Sequence, residues 1–275
     1  MADIIVLRDT SLALVSSMHS NAVTFVDLSD GHVAGVVPVG KAPKAIVLSP
    51  DQSRAYVHNV GDNTISAIDV VDKRVLGTFV LPLEYLYGRQ DLLSMWPSAD
   101  GARLFVISGV VSIGMDSFDT KTFKRNDRVV PEHSLSSVTR PGGDFDGVIG
   151  FTAYGVVSMD EAGKNTRRLW RYCSSHSGFK ATAYASSNDI ARIAVVEGDP
   201  KRGEYDRIIR VANASSRVTV GTYPVTSDVS KFAFSADGKR LFAMIRTGSF
   251  VVLDLDKRLL PEESEELLCD DNNEP

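Results

Sequence analysis

An all-β fold, and within it a β-propeller of six four-stranded blades, follows from three observations on the sequence. A motif recurs with a period near 42 residues. Each copy divides into four short runs rich in β-branched and aromatic residues, parted by turn dipeptides. No segment sustains the 3.6-residue apolar period of a capped amphipathic helix, so helices should be scarce. A lone four-stranded sheet leaves its faces bare, whereas sheets arranged radially cover one another. A β-sandwich would explain the strands but not the fixed repeat.

The period appears when the first segment is shifted by 42 positions. Asp9, Ser11, Ala13 and Val15 then meet Asp51, Ser53, Ala55 and Val57. Asn21, Val23 and Asp27 meet Asn63, Ile65 and Asp69, and Val33 and Gly35 meet Val75 and Gly77. SPDQSRAYV (49–57) returns as SADGARLFV (98–106) and SADGKRLFA (235–243), and NTISAID (63–69) as GSFVVLD (248–254). An apolar strand ending in Asp or Asn marks each unit. The markers are Asp27, Asp69, Asp119, Asp160, Asn213 and Asp254, spaced by 42, 50, 41, 53 and 41 residues. That makes six units with two insertions; a seventh is possible if the chain ends form a further partial blade.

In the second unit the four strands, A to D, are expected at residues 44–48, 55–58, 64–70 and 74–80. Between A and B stands a Pro-Asp or Asp-Gly turn: Pro50-Asp51, Asp100-Gly101, Asp237-Gly238. Asp closes such a turn through its side chain, and Gly supplies positive φ. The first strand should lie at residues 3–7. The last would fall at 259–268, which holds Pro261 and four glutamates, so blade six should be incomplete or weakly paired there. Residues 262–268 are the best helical candidate, and a short one.

Residues 36–79 resemble one repeat of the YVTN family of β-propellers. Gly40 and Pro43, Ser49-Pro50-Asp51, Tyr56-Val57-His58-Asn59 and the run from Asn63 to Asp69 fill its pattern. His58 stands where the pattern has Thr, and Gln52 where it has Gly. The resemblance is strong over residues 9–80, clear again over 230–258 and weak between 120 and 215. It implies a fold related to the cytochrome d1 and quinoprotein-like propellers. Members of the family resemble scaffolds, surface proteins and redox domains, so it implies no single activity. WD40 repeats are disfavoured by the lack of a Trp-Asp dipeptide, and kelch repeats by the single Gly doublet, Gly142-Gly143.

The chain of 275 residues carries a formal charge of -5, unevenly placed. Residues 261–275 hold seven acids and no Lys or Arg, leaving 28 acids against 30 bases elsewhere. One propeller domain over 1–260 and a flexible acidic tail over 261–275 are expected. No basic cluster points to nucleic acid. No stretch approaches the ~18 apolar residues of a membrane span. Asp3 stands where a signal peptide requires positive charge. Only two cysteines occur, Cys173 and Cys269, too few for a disulfide framework. A cytoplasmic monomer is expected.

The topology sorts the polar residues. The B–C and D–A loops share one end of each blade, the end where propeller ligand sites usually lie. His19 and His58 are placed in B–C loops, His133 and His176 before A strands, and His32 alone at the opposite end. An insertion at 81–92 supplies Tyr85, Tyr87, Arg89 and Asp91, groups suited to a small-molecule pocket. Lys44, Lys180 and Lys231 begin A strands. The acid–base candidates are therefore His58, His133, His176 and Asp91. The ligand-binding candidates are Lys44, Tyr85, Tyr87, Arg89, Lys180 and Lys231. No Cys-x-x-Cys-His, His-Glu-x-x-His or Gly-x-Ser-x-Gly occurs, and Asp144-Phe145-Asp146-Gly147 lacks the downstream acids of a calcium loop. No metal and no cofactor are expected. The chain reads as a propeller that binds a small molecule or protein partner. The alternative is a cofactor-independent lyase, isomerase or cyclase of small-molecule, for instance secondary-metabolite, biosynthesis.

Overall fold

A computed structural model describes residues 3–8, 10–83, 93–108, 114–133, 135–140, 147–152, 155–171, 184–186, 192–198, 207–213, 219–225, 229–235, 238–245 and 250–256. The chain forms two compact units, one of Met1–Val138 with Glu161–Gly163, the other of Thr139–Asp160 with Lys164–Pro275.

The described chain is all-β and forms six antiparallel meanders, the blades of a β-propeller. Blade one is β1 (Asp3–Val6), β2 (Leu12–Ser17), β3 (Ala22–Asp27) and β4 (Val33–Pro38). Blade two is β5 (Pro43–Leu48), β6 (Arg54–Asn59), β7 (Thr64–Asp69) and β8 (Arg74–Val80). Blade three is β9 (Leu93–Pro97), β10 (Arg103–Ser108), β11 (Met115–Asp119) and β12 (Arg125–Val129). Blade four is β13 (Leu135–Thr139), β14 (Val148–Thr152), β15 (Gly155–Met159) and β16 (Arg167–Arg171). Blade five is β17 (Tyr184–Ser186), β18 (Arg192–Gly198), β19 (Arg207–Asn213) and β20 (Thr219–Val225). Blade six is β21 (Val229–Phe234), β22 (Arg240–Ile245) and β23 (Phe250–Asp254), three strands among the described residues. The expected last strand, the helical candidate at 262–268 and the acidic tail lie outside the described residues. No helix among the described residues is long and apolar enough to cross a membrane.

The repeated residues build the turns. In the A–B turn the Ser49 hydroxyl donates to Asp51 Oδ1 at 2.6 Å and accepts from the Arg54 N–H at 2.9 Å. Ser98 makes the same bonds with Asp100 and Arg103, at 2.6 and 2.8 Å. Ser235 accepts from the Arg240 N–H at 2.9 Å. The third turn residue takes positive φ: 58° at Gln52, 68° at Gly101 and 65° at Gly238. Gln52 tolerates the left-handed region because its Oε1 accepts the Arg8 N–H at 2.7 Å, a tie from blade one to blade two that glycine lacks. The marker aspartates cap the C–D turns. Asp27, Asp69, Asp119, Asp160 and Asp254 each accept a backbone N–H two to four residues on.

The cores lie between sheets. In the first unit, β2, β3, β6 and β7 bury Leu14, Phe25, Val57 and Ile68 in one layer. The other face of blade two puts Tyr56, Ile65 and Phe79 against Met95, Leu104 and Phe118 of blade three. In the second unit Ile149, Phe151 and Val156 meet Ile193 and Val195, and blade five packs on blade six through Ile209, Val211 and Leu241. A bulge between the C and D strands recurs in each of the first five blades. It breaks the alternation of side chains just before the terminal Asp or Asn in blades one, two, three and five, and earlier in blade four, between Val156 and Val157.

One placement departs from the sequence reading. His58, expected at the strand's last position and counted with the B–C loop, is instead paired with Ile65 within β6, which runs on to Asn59. The β-branched run Thr64-Ile65 extends the ladder past the expected end.

Candidate functional site

Four of the ten nominated residues fall within the described chain: Lys44, His58, His133 and, by its backbone in β21, Lys231. Asp91, Tyr85, Tyr87, Arg89, His176 and Lys180 lie outside the described residues, as does most of the half calcium loop, Asp144 to Asp146.

Lys44 and His58 belong to the first and second strands of blade two, at the end carrying its B–C loop. His58 is 1% exposed, and its Nε2 has no hydrogen-bond partner among the described residues. Burial, reinforced by the Lys44 charge, pushes its pKa down from 6.5 to about 4. The imidazole is therefore neutral at pH 7. An acid–base catalyst works best with a pKa near the operating pH, so His58 is a weak base and no acid there. Lys44 is half-buried, and its carbonyl accepts the hydroxyl of Ser16 at 2.7 Å. His133 is exposed in the bend before β13 of blade four, whereas His58 is buried in blade two.

Around His58 most polar groups are committed to the backbone. Asn21 and Asn63, repeat equivalents, take φ of 51° and 54° in their turns. Asn21 Oδ1 accepts the Ala42 N–H at 2.9 Å, and Asn63 Nδ2 donates to the Leu81 carbonyl at 3.0 Å. Asp62 Oδ2 accepts the Lys41 N–H at 2.6 Å. Asn59 Nδ2 donates to Ser66 Oγ at 2.9 Å and Thr64 Oγ1 at 3.1 Å. Three buried atoms here have no partner among the described residues: His58 Nε2, Asn59 Oδ1 and Asn63 Oδ1.

The structure adds two features that sequence reasoning missed, both on blade three. Asp116 is fully buried and held by two guanidiniums. Arg125 donates through Nε at 2.8 Å and Nη2 at 2.5 Å, and Arg128 through Nη2 at 3.0 Å. Asp116 pairs with Arg128 and Phe118 with Arg125, and the bulge between them turns both arginines to one side. The same bulge sends Asn126 and Asp127 the other way, into a groove of about 630 Å³. Arg103, Phe105, Ser117 and Asp119 line it too, and all its lining residues belong to the first unit. The arginine–aspartate cluster carried no motif. The groove was hinted at only by polar residues where blade two has apolar ones.

No family model matches the chain, and no curated protein matches it. Among solved structures it is similar to Kuenenia stuttgartiensis hydrazine synthase, at 20% identity and a TM-score of 0.67 over 90% of this chain and 74% of that one. A likeness at that identity speaks for the fold alone, a β-propeller.

Proposed function

We propose that this chain is a cytoplasmic binding propeller of YVTN-type repeats, a single domain over residues 1–260, that takes a small molecule or protein partner at the end bearing its B–C and D–A loops. The observation that carries the reading is the polar end of blade two. His58 Nε2, Asn59 Oδ1 and Asn63 Oδ1 are buried without partners among the described residues, each at a cost of about 1–3 kcal/mol, beside the Lys44 cation. A bound group that donates hydrogen bonds would recover that cost. The catalytic alternative requires a group that exchanges a proton near neutral pH, and His58 is held neutral.

The test has two steps. A metabolite library is screened by thermal shift against the wild type, Lys44→Ala and Asn59→Ala. Each stabilising compound is then incubated with the protein and recovered by mass spectrometry. A ligand whose shift is lost in either variant, and which is recovered unchanged, supports binding at this end. Ligands that stabilise all three proteins alike refute the site. Conversion by the wild type and not by His58→Ala or His133→Ala replaces the reading with the lyase, isomerase or cyclase.

A further inference from the structure

Blade three carries an open groove where the equivalent faces of blades one and two are plugged. On blade one the Lys73 side chain lies against Gly35, with Nζ 6.0 Å from the Phe25 ring centre. On blade two the Phe123 ring lies on Gly77 and packs edge-on to Phe79 at 5.2 Å. Both plugs come from C–D turns at a left-handed residue, φ 50° at Lys73 and 60° at Phe123. The strand registers locate the corresponding face of blade three. Arg54 pairs with Asp69 as Arg103 does with Asp119, and Tyr56 with Ala67 as Phe105 does with Ser117. Where blade two has Ala67, Leu76 and Gly77, blade three has Ser117, Asn126 and Asp127. The groove occupies this face, and about 630 Å³ is the size of a small-molecule site.

Its lining sets the chemistry of an occupant. The Arg103 guanidinium stands 5.7 Å from the Phe105 ring centre and makes no side-chain hydrogen bond among the described residues, whereas Arg54 donates to the Thr120 carbonyl at 2.9 Å. Asp100, Asp119 and Asp127 surround it, so the groove carries two more negative than positive charges. Turn hydrogen bonds hold the Asp100 and Asp119 carboxyls below the usual range. The flat space filled by an aromatic ring on blade two is left open here and edged by a carboxylate excess, above a Phe105 ring already covered by Arg103 and Trp96; that shape and charge favour a planar cation.

We propose that the groove on blade three is a binding site for a small planar cation, such as an aromatic amidinium or a guanidinium compound. It goes beyond the function proposed above, since the groove gathers the A–B and C–D turns, at the opposite end of the blade from His58.

Benzamidine is the probe, and benzoate, the same ring with opposite charge, is the control. Isothermal titration at low salt is expected to show benzamidine binding at millimolar concentration or tighter and benzoate at least about tenfold weaker. Asp127→Asn keeps the shape and removes one charge, and should weaken benzamidine about fivefold. Ser117→Phe fills the groove and should abolish binding; an unchanged melting temperature for Asp127→Asn shows that the fold is intact. Lys44→Ala should leave benzamidine untouched. Benzoate binding as tightly as benzamidine, no benzamidine binding, or full affinity in Asp127→Asn each overturns the proposal. Affinity lost in Lys44→Ala and kept in Asp127→Asn puts the ligand at the other end and refutes the groove.

Discussion

Gly77→Ala tests whether the plug on blade two is a packing device. A methyl at Gly77 would fall inside the van der Waals shell of three Phe123 ring carbons. Overpacking of this kind costs about 1–3 kcal/mol, set against the ~0.5–1 kcal/mol that alanine gains over glycine within a strand. The single variant should therefore lose about 1–2 kcal/mol. Phe123→Ala removes a half-buried ring that meets Phe79 at 5.2 Å. A fully buried Phe→Ala costs about 3–5 kcal/mol, so about 2 kcal/mol is expected here. In the double variant the methyl of Ala at position 77 enters space the ring has left, and its cost turns into a small gain. The coupling energy should be about 2 kcal/mol, or roughly 4–8 °C in Tm for a chain of this size. Urea unfolding of the wild type, both singles and the double measures it. Additivity within about 0.5 kcal/mol would mean that the ring does not rest on Gly77, and the blade-to-blade comparison behind the open groove would fall with it.

Three further outcomes follow from the same geometry. The His58 pKa is lowered on folding from 6.5 to about 4, so its contribution is intact above pH 6.5 and lost as pH falls through 4. About 3 kcal/mol should disappear across that window in the wild type and not in His58→Gln, by urea unfolding at pH 7.5 and 4; equal loss in both would refute the burial argument. Below pH 4 the loss continues, because a Ser29 hydrogen bond lowers the Asp27 carboxyl to about 2 and similar turn bonds depress Asp51, Asp100 and Asp119. Asp116→Asn leaves Arg125 and Arg128 facing each other without the buried carboxylate and should cost about 3 kcal/mol, whereas Arg125→Met, which keeps the Arg128 bond, should cost under half of that in the same assay. Gln52→Ala keeps the left-handed backbone and loses the Arg8 bond, at about 1 kcal/mol; Gln52→Gly loses the bond but relieves the backbone and should stay within about 0.5 kcal/mol of the wild type in thermal melts.

The sequence by itself determined the strands and their turns. Ser49 with Asp51, Ser98 with Asp100 and the capping aspartates at Asp27, Asp69 and Asp119 act over two to five residues. Such bonds form within one short stretch of chain, so the repeat spells them out. Only the tertiary structure decided which side chains are sealed, plugged or gathered. Strand β6 ran on to Asn59, and packing against its neighbours left His58 only 1% exposed. A single bulge turned Arg125 and Arg128 toward Asp116 and sent Asp127 the other way. A ring from one blade closed the face of its neighbour at Gly77, while the matching face on blade three stayed open. Local hydrogen bonding is written in neighbouring letters. Burial depends on which side of a sheet a residue faces and on what a distant segment lays against it.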